Sequence, residues 1–139
     1  MGQVETVVLA YYDCFARGDF AAAKALYADD CAIVTPNGTL DNAAHEAMGR
    51  AFRAAFPDSH MEVVRVVESD GEAYIGGFFK GTHTGDLVGA GGAIPASGNA
   101  MSLPFADYFR VADGKIVAQE SIFDQMTLMA QIGALPPPA

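Results

Sequence analysis

The chain has 139 residues, with 8 Lys and Arg against 17 Asp and Glu, for a formal net charge of −9. At roughly 100–200 residues per domain this is the length of one domain covering residues 1–139, and a 51% hydrophobic composition excludes wholesale disorder. The acidic balance argues against a nucleic-acid or anionic-membrane partner, since both need clustered Lys and Arg.

Residues 4–17 read as an amphipathic helix, because Val4, Val7, Val8, Tyr11, Tyr12 and Phe15 recur at helical spacing. Gly18 ends it, and Asp19 is placed to cap a second helix over residues 20–27. A short strand at 31–34 closes in the turn Pro36-Asn37-Gly38. A third helix is expected over 42–56, with Ala43, Ala47, Met48, Phe52 and Phe56 on one face, and Pro57-Asp58 stops it. The period then changes. Strands are expected at 60–68, 73–82, 101–111 and 115–123, with Asp70-Gly71 and Asp113-Gly114 as hairpin turns. Residues 84–99 form a long glycine-rich connection, and the tail after Asp124 makes a helical turn before Pro136-Pro137-Pro138.

Helices first and a four-strand antiparallel meander afterwards mean an α+β fold, since βαβ alternation is absent. A curved antiparallel sheet with N-terminal helices against one face makes a half-open cone with an internal pocket. Residues 1–10 lack a basic start and an unbroken apolar run, and no segment approaches the roughly 18 apolar residues of a membrane span. A soluble cytoplasmic protein is the expectation. Cys14 and Cys31 have neither metal-ligand spacing nor the number of a disulfide framework, so they are expected as free, buried thiols.

Several segments in this order resemble one family from end to end. They are Phe15 with Gly18-Asp19, Phe56-Pro57-Asp58, Gly81-Thr82-His83-Thr84-Gly85, Phe109-Arg110-Val111 with Asp113-Gly114-Lys115-Ile116, and Phe123-Asp124 with Gln131-Ile132-Gly133. Together they resemble the SnoaL-like polyketide cyclases, within the nuclear transport factor 2-like cone superfamily. The resemblance implies a substrate-binding cone and acid–base chemistry without cofactor or metal, closing a ring by an intramolecular aldol reaction on a hydrophobic carbonyl substrate. It also implies a homodimer paired through the outer face of the sheet, where Tyr108 and Val66 are expected. Residues 84–99 would lie over the mouth of the cone, as a lid or a plain connection. In ring-closing members an aspartate on the last strand is the acid/base, and the resemblance puts Ser121 at that place. Their histidine on the preceding strand corresponds to Asp107 here.

Asp107 is the sharpest candidate for the base. It shares a strand face with Leu103, Phe105 and Phe109, and an Asp among apolar neighbours either has a raised pKa or points into a wet pocket. The alternative is an exposed strand end or a tie to a loop amide. His83 is titratable near neutrality but sits in a turn that invites a backbone tie, and Asp124 either lines the mouth or caps the helical turn after it. On the last strand, Glu120 opposes Gln119, Ser121 and Phe123 in parity, and the latter three are expected to face the pocket. Substrate contacts are therefore expected from Tyr12, Phe105, Phe109, Gln119, Ser121 and Phe123. Tyr12, Tyr27, Tyr74 and Tyr108 either donate to an enolate oxygen or are amphipathic core residues. His45 and His60 have no ligand spacing with His83, so no metal is expected.

Two functions compete. The first is a cofactor-free cyclase or isomerase with Asp107 as base and Ser121, His83 or a tyrosine on the enolate. The second is a non-catalytic cone that holds a small apolar molecule or serves as a dimerisation module. An epoxide hydrolase of the same fold needs an Asp-Arg-Asp set, and Arg110 has the wrong parity relative to Asp107.

Overall fold

The apolar stripe of the first helix turns inward in the computed structural model, which describes residues 2–89 and 91–135. α1 (Gln3–Ala16) buries Val4, Val8, Tyr12 and Phe15, one side of the helix. Its N-terminus is held by Glu68, whose carboxylate accepts the amide N–H groups of Val4 and Glu5 at 3.1 and 2.8 Å. Asp19 caps α2 (Phe20–Ala25) by accepting the Ala22 N–H. The second helix is two residues shorter than its pattern predicts, because Tyr27 pairs instead with Ile116 and opens β1 (Tyr27–Thr35). A turn leads into β2 (Gly38–Leu40), too short for any period to reveal. Asp41 then caps α3 (Asn42–Ala55).

β3 (His60–Ser69) and β4 (Glu72–Thr82) form a hairpin. The glycine-rich connection contains a two-stranded hairpin of its own, β5 (Leu87–Gly89) with β6 (Gly92–Ile94). β7 (Ala100–Ala112), β8 (Lys115–Phe123) and α4 (Gln125–Gln131) complete the chain. Both predicted tight turns hold: Asp70 and Gly71, and Asp113 and Gly114, all have positive φ, as a two-residue hairpin loop demands. Pro136-Pro137-Pro138 lies outside the described residues.

The main sheet has the order β2-β1-β8-β7-β4-β3. The expected meander β3-β4-β7-β8 makes up four of its six strands, from the β3 edge inward, with helices against the inner face of a curved, open sheet. The sheet is nonetheless mixed, because β1 lies parallel to β8. A parallel neighbour far away in sequence leaves no local mark. A second correction comes from β3, where the register shifts between Val63 and Arg65. The bulge exchanges the two faces, so Val66 packs against the core and Val67 carries the exposure expected of it. No described helix is long and apolar enough to cross a membrane. Cys14 and Cys31 are buried and free.

Candidate active site

β7 alternates strictly, with Met101, Leu103, Phe105, Asp107, Phe109 and Val111 on its inner face. Five apolar residues therefore carry one carboxylate inward with them, and Asp107 is only 4% exposed. Burial pushes its carboxyl up from 3.8 to about 7, against the opposing pull of hydrogen bonds from Tyr12 and Ser121. The Tyr12 hydroxyl, arriving from α1, donates to Asp107 Oδ2 at 2.6 Å. The Tyr12 ring is braced edge-on by Phe105 and Phe109 at 6.0 and 6.2 Å between centroids. Ser121 is the register partner of Asp107 across β7 and β8. The carboxylate that the family resemblance puts at Ser121 thus stands directly opposite, on the neighbouring strand.

Behind Ser121 the polar contacts continue. Gln119 Nε2 donates to Ser121 Oγ at 2.9 Å, and the Tyr27 hydroxyl donates to Gln119 Oε1 at 2.5 Å. Tyr11 reaches both Tyr27 and, at 3.5 Å, His45 Nε2. Burial raises the phenol pKa values of Tyr11, Tyr12 and Tyr27 above their ordinary range, so each stays a protonated donor. Burial moves His45 the other way, to about 4, and leaves a neutral imidazole at pH 7.

Asp107 sits in a cavity of about 90 Å³ between α1, α3 and the sheet. Its polar lining is Tyr11, Tyr12, His45, Asp107, Gln119 and Ser121, and the rest is Phe, Met, Leu and Gly. The parity reading of the last strand holds, since Gln119, Ser121 and Phe123 line the cavity and Glu120 is exposed. Phe105 lines it too.

Other predicted residues lie elsewhere. Phe109 is fully buried beneath Tyr11 and Tyr12 and lies outside the cavity lining, where it supports the floor. Asp124 is exposed and accepts from Met126 N and Thr127 Oγ1 at 2.9 and 3.0 Å, so the helix cap occupies its carboxylate. His83 is buried against Phe56 and outside the cavity lining, with Nδ1 taking the Ser97 N–H at 3.1 Å; its Nε2 finds no hydrogen-bond partner among the described residues. Tyr74 and Tyr108 pack against each other on the outer face, their rings 5.3 Å apart and tilted by 53°, and Arg110 pairs there with Glu72 at 2.8 Å. The described residues of the connection over 84–99 contribute nothing to the cavity lining. Thr84 and Gly85 instead donate to the Ala55 carbonyl at the end of α3, and Leu87 is buried. Among the described residues no cluster of three or more His, Cys, Asp or Glu is placed to hold a metal ion.

Sequence reasoning gave no site role to Tyr11 or His45. The signal was available: His45 precedes Met48 and Phe52 by three and seven positions, one helical face, and all three line the cavity.

A bent open sheet closed by N-terminal helices over a buried carboxylate defines a cone with a candidate acid–base site. The family model for SnoaL-like polyketide cyclases matches residues 5–132, and the chain belongs to that family. The fold is similar to AclR of Streptomyces galilaeus, a candidate hydroxylase (19% identity, TM-score 0.84, covering 98% of this chain and 84% of that one). It is likewise similar to IdmH of Streptomyces antibioticus, a candidate polyketide cyclase (25% identity, TM-score 0.80, covering 95% and 99%). A hypothetical protein of Catenulispora acidiphila with a ketosteroid isomerase-like fold, solved with trimethylamine, matches at 17% identity and TM-score 0.74, covering 94% and 93%. No curated protein matches the chain in sequence.

Proposed function

We propose that this SnoaL-like protein is a cofactor-free aldol cyclase or isomerase acting on a hydrophobic carbonyl compound, with Asp107 as general base. The observation that carries the reading is a carboxylate at the floor of an apolar cavity, held by Tyr12 and buried enough to ionise near pH 7. A base works best when its pKa lies near the operating pH, and burial supplies that match here. Asp107 removes a proton from the carbon between two carbonyls, and the C–H electron pair passes into the enolate. A tyrosine hydroxyl donates to the developing oxygen: that of Tyr11, or that of Tyr12 once Asp107 has taken the substrate proton and releases its bond. The enolate carbon then attacks a second carbonyl of the same substrate, whose oxygen takes back the proton held by Asp107, or the enolate is reprotonated by Asp107 at another carbon.

The apolar lining supports a substrate whose body is aromatic or aliphatic and whose oxygens reach only the floor. The exposed Val67, Tyr74 and Ile122 on the outer face support a homodimer paired sheet to sheet. The chain acts as one domain, in the cytoplasm.

The test is proton–deuterium exchange at the acidic carbon of an aromatic β-keto ester in D₂O, followed by NMR, with wild type beside Asp107→Asn. Exchange catalysed by the wild type and lost in a folded variant supports the proposal. A ligand-induced thermal shift with no exchange in either protein points instead to a cone that only holds its ligand.

A further inference from the structure

Gln119 is 2% exposed at the cavity floor, and its amide is engaged at both ends. A phenol has one proton to donate. Tyr27 donates it at 2.5 Å to Oε1, the carbonyl end of the amide. The other end is then the NH₂, and it donates to Ser121 Oγ at 2.9 Å. A serine hydroxyl that accepts a hydrogen bond still has its own proton to place, and the acceptor across the strand pair is the Asp107 carboxylate. Donation therefore runs from Tyr27 to Gln119 to Ser121, and Asp107, the register partner of Ser121, stands next as the acceptor across the strand pair.

We propose that Gln119 is a positioning residue for the base: its amide, oriented by Tyr27, fixes the Ser121 hydroxyl as a donor to Asp107. The inference rests on Asp107 being the base. It also revises the expected role of Gln119, whose polar atoms serve the network and are withheld from substrate. A reversed amide would present its oxygen to Ser121, draw the serine proton away, and leave Asp107 with Tyr12 as its one side-chain donor. The titratable groups facing Asp107 are Tyr11 and Tyr12 from α1 and Tyr27 from β1, with His45 of α3 along the same cavity. From β4 its register partner is Ile75. Among the described residues no Lys or Arg lines the cavity, so hydrogen bonds carry the stabilisation of the charged form.

The experiment follows the Asp107 carboxyl carbon by ¹³C NMR through a pH titration of the full chain, its resonance assigned by its loss in Asp107→Asn. Removing a donor from a carboxylate raises its pKa, so Ser121→Ala is expected to move the midpoint up by about one pH unit. Gln119→Leu is expected to move it up by a similar amount, and the double variant no further than Ser121→Ala alone. Ser121→Thr, which keeps the hydroxyl, restores the wild-type midpoint. A Gln119→Leu titration matching the wild type, or shifts that add in the double variant, overturns the proposal. If Gln119→Leu fails to fold, Tyr27→Phe carries the test, since it removes only the hydroxyl that orients the amide: an upward shift supports the network and an unmoved midpoint overturns it. Because the titration reads Asp107 itself, it decides the role of Gln119 even where the wild type catalyses no exchange, an outcome that sinks the base assignment alone.

Discussion

Tyr12 and Asp107 stand 95 positions apart in the chain, yet the phenol donates to the carboxylate at 2.6 Å in the floor of the cone. The pair joins the first helix to a central strand, and each partner conditions the other. The carboxylate helps keep the phenol protonated, and the phenol limits how far burial raises the carboxyl. Tyr12→Phe keeps the ring and removes the donor. The exchange rate at pH 7 is expected to fall by about 100-fold, the usual loss for one preorganised donor to a developing oxyanion. The acidic limb of the pH–rate profile should also move upward, which a packing defect would not cause.

Asp107 is costly to fold around. Its carboxyl ionises near pH 4 in the unfolded chain and at about 7 in the fold, so the folded state binds the extra proton between those values. Stability must therefore fall as pH rises from 4 to 7, and the loss is complete above 7. It is on the order of 4 kcal/mol. Asp107→Asn is expected to be more stable than wild type at pH 8 and equal to it near pH 4, by urea titration at each pH. Equal stability at pH 8 would mean that the carboxyl is not buried as described.

His45 has the opposite sign. Burial lowers its pKa from 6.5 to about 4, so the unfolded chain binds the extra proton and stability rises with pH across that window. The two slopes oppose each other between about pH 4 and 6.5. His45→Gln should expose the falling slope of Asp107, and Asp107→Asn the rising slope of His45. Parallel stability curves for the two variants would remove this account.

Asp124→Ala separates a cap from a catalyst. Losing the two hydrogen bonds at the start of α4 is expected to cost about 1 kcal/mol. Exchange should be unchanged, because Asp124 lies outside the cavity lining. A large rate loss with little change in melting temperature would restore Asp124 to the site.

Gly85 marks where the glycine-rich connection is tied down. A Cβ there would stand 2.0 Å from the Ala54 carbonyl oxygen, a backbone atom with little freedom to move. Gly85→Ala is expected to destabilise by about 2 kcal/mol and to increase amide hydrogen exchange at Leu87, while deuterium exchange into the substrate stays near wild type. A neutral effect would show that the segment is loosely held after all.

On the outer face, Ile122→Arg tests the proposed pairing. Ile122 is 55% exposed and its side chain points away from the cavity, so a charge there leaves the folded chain intact. Light scattering should report a dimer for wild type and a monomer for the variant. A monomeric wild type would end the sheet-to-sheet proposal.

Local chemistry determined a great deal by itself. The cap at Asp19, the two Asp-Gly hairpins, the four-strand meander and the inward parity of Asp107, Gln119, Ser121 and Phe123 all follow from capping chemistry, from 3.6- and 2-residue periods and from turn residues with positive φ. These are interactions between near neighbours, and near neighbours are what a sequence displays. The parallel seating of β1 on β8, the bulge that turned Val66 inward, and the short hairpin inside residues 84–99 depend on distant partners, and only the folded chain shows them. The same holds for the site. Sequence placed Asp107 on an apolar face, but its raised pKa comes from the closure of α1 and α3 over that face, and its partners Tyr12, Ser121, Gln119 and Tyr27 come from three different elements. Desolvation and donor direction arise only when those elements meet, so tertiary structure decides which of the chain's carboxylates is buried, oriented and ready to take a proton.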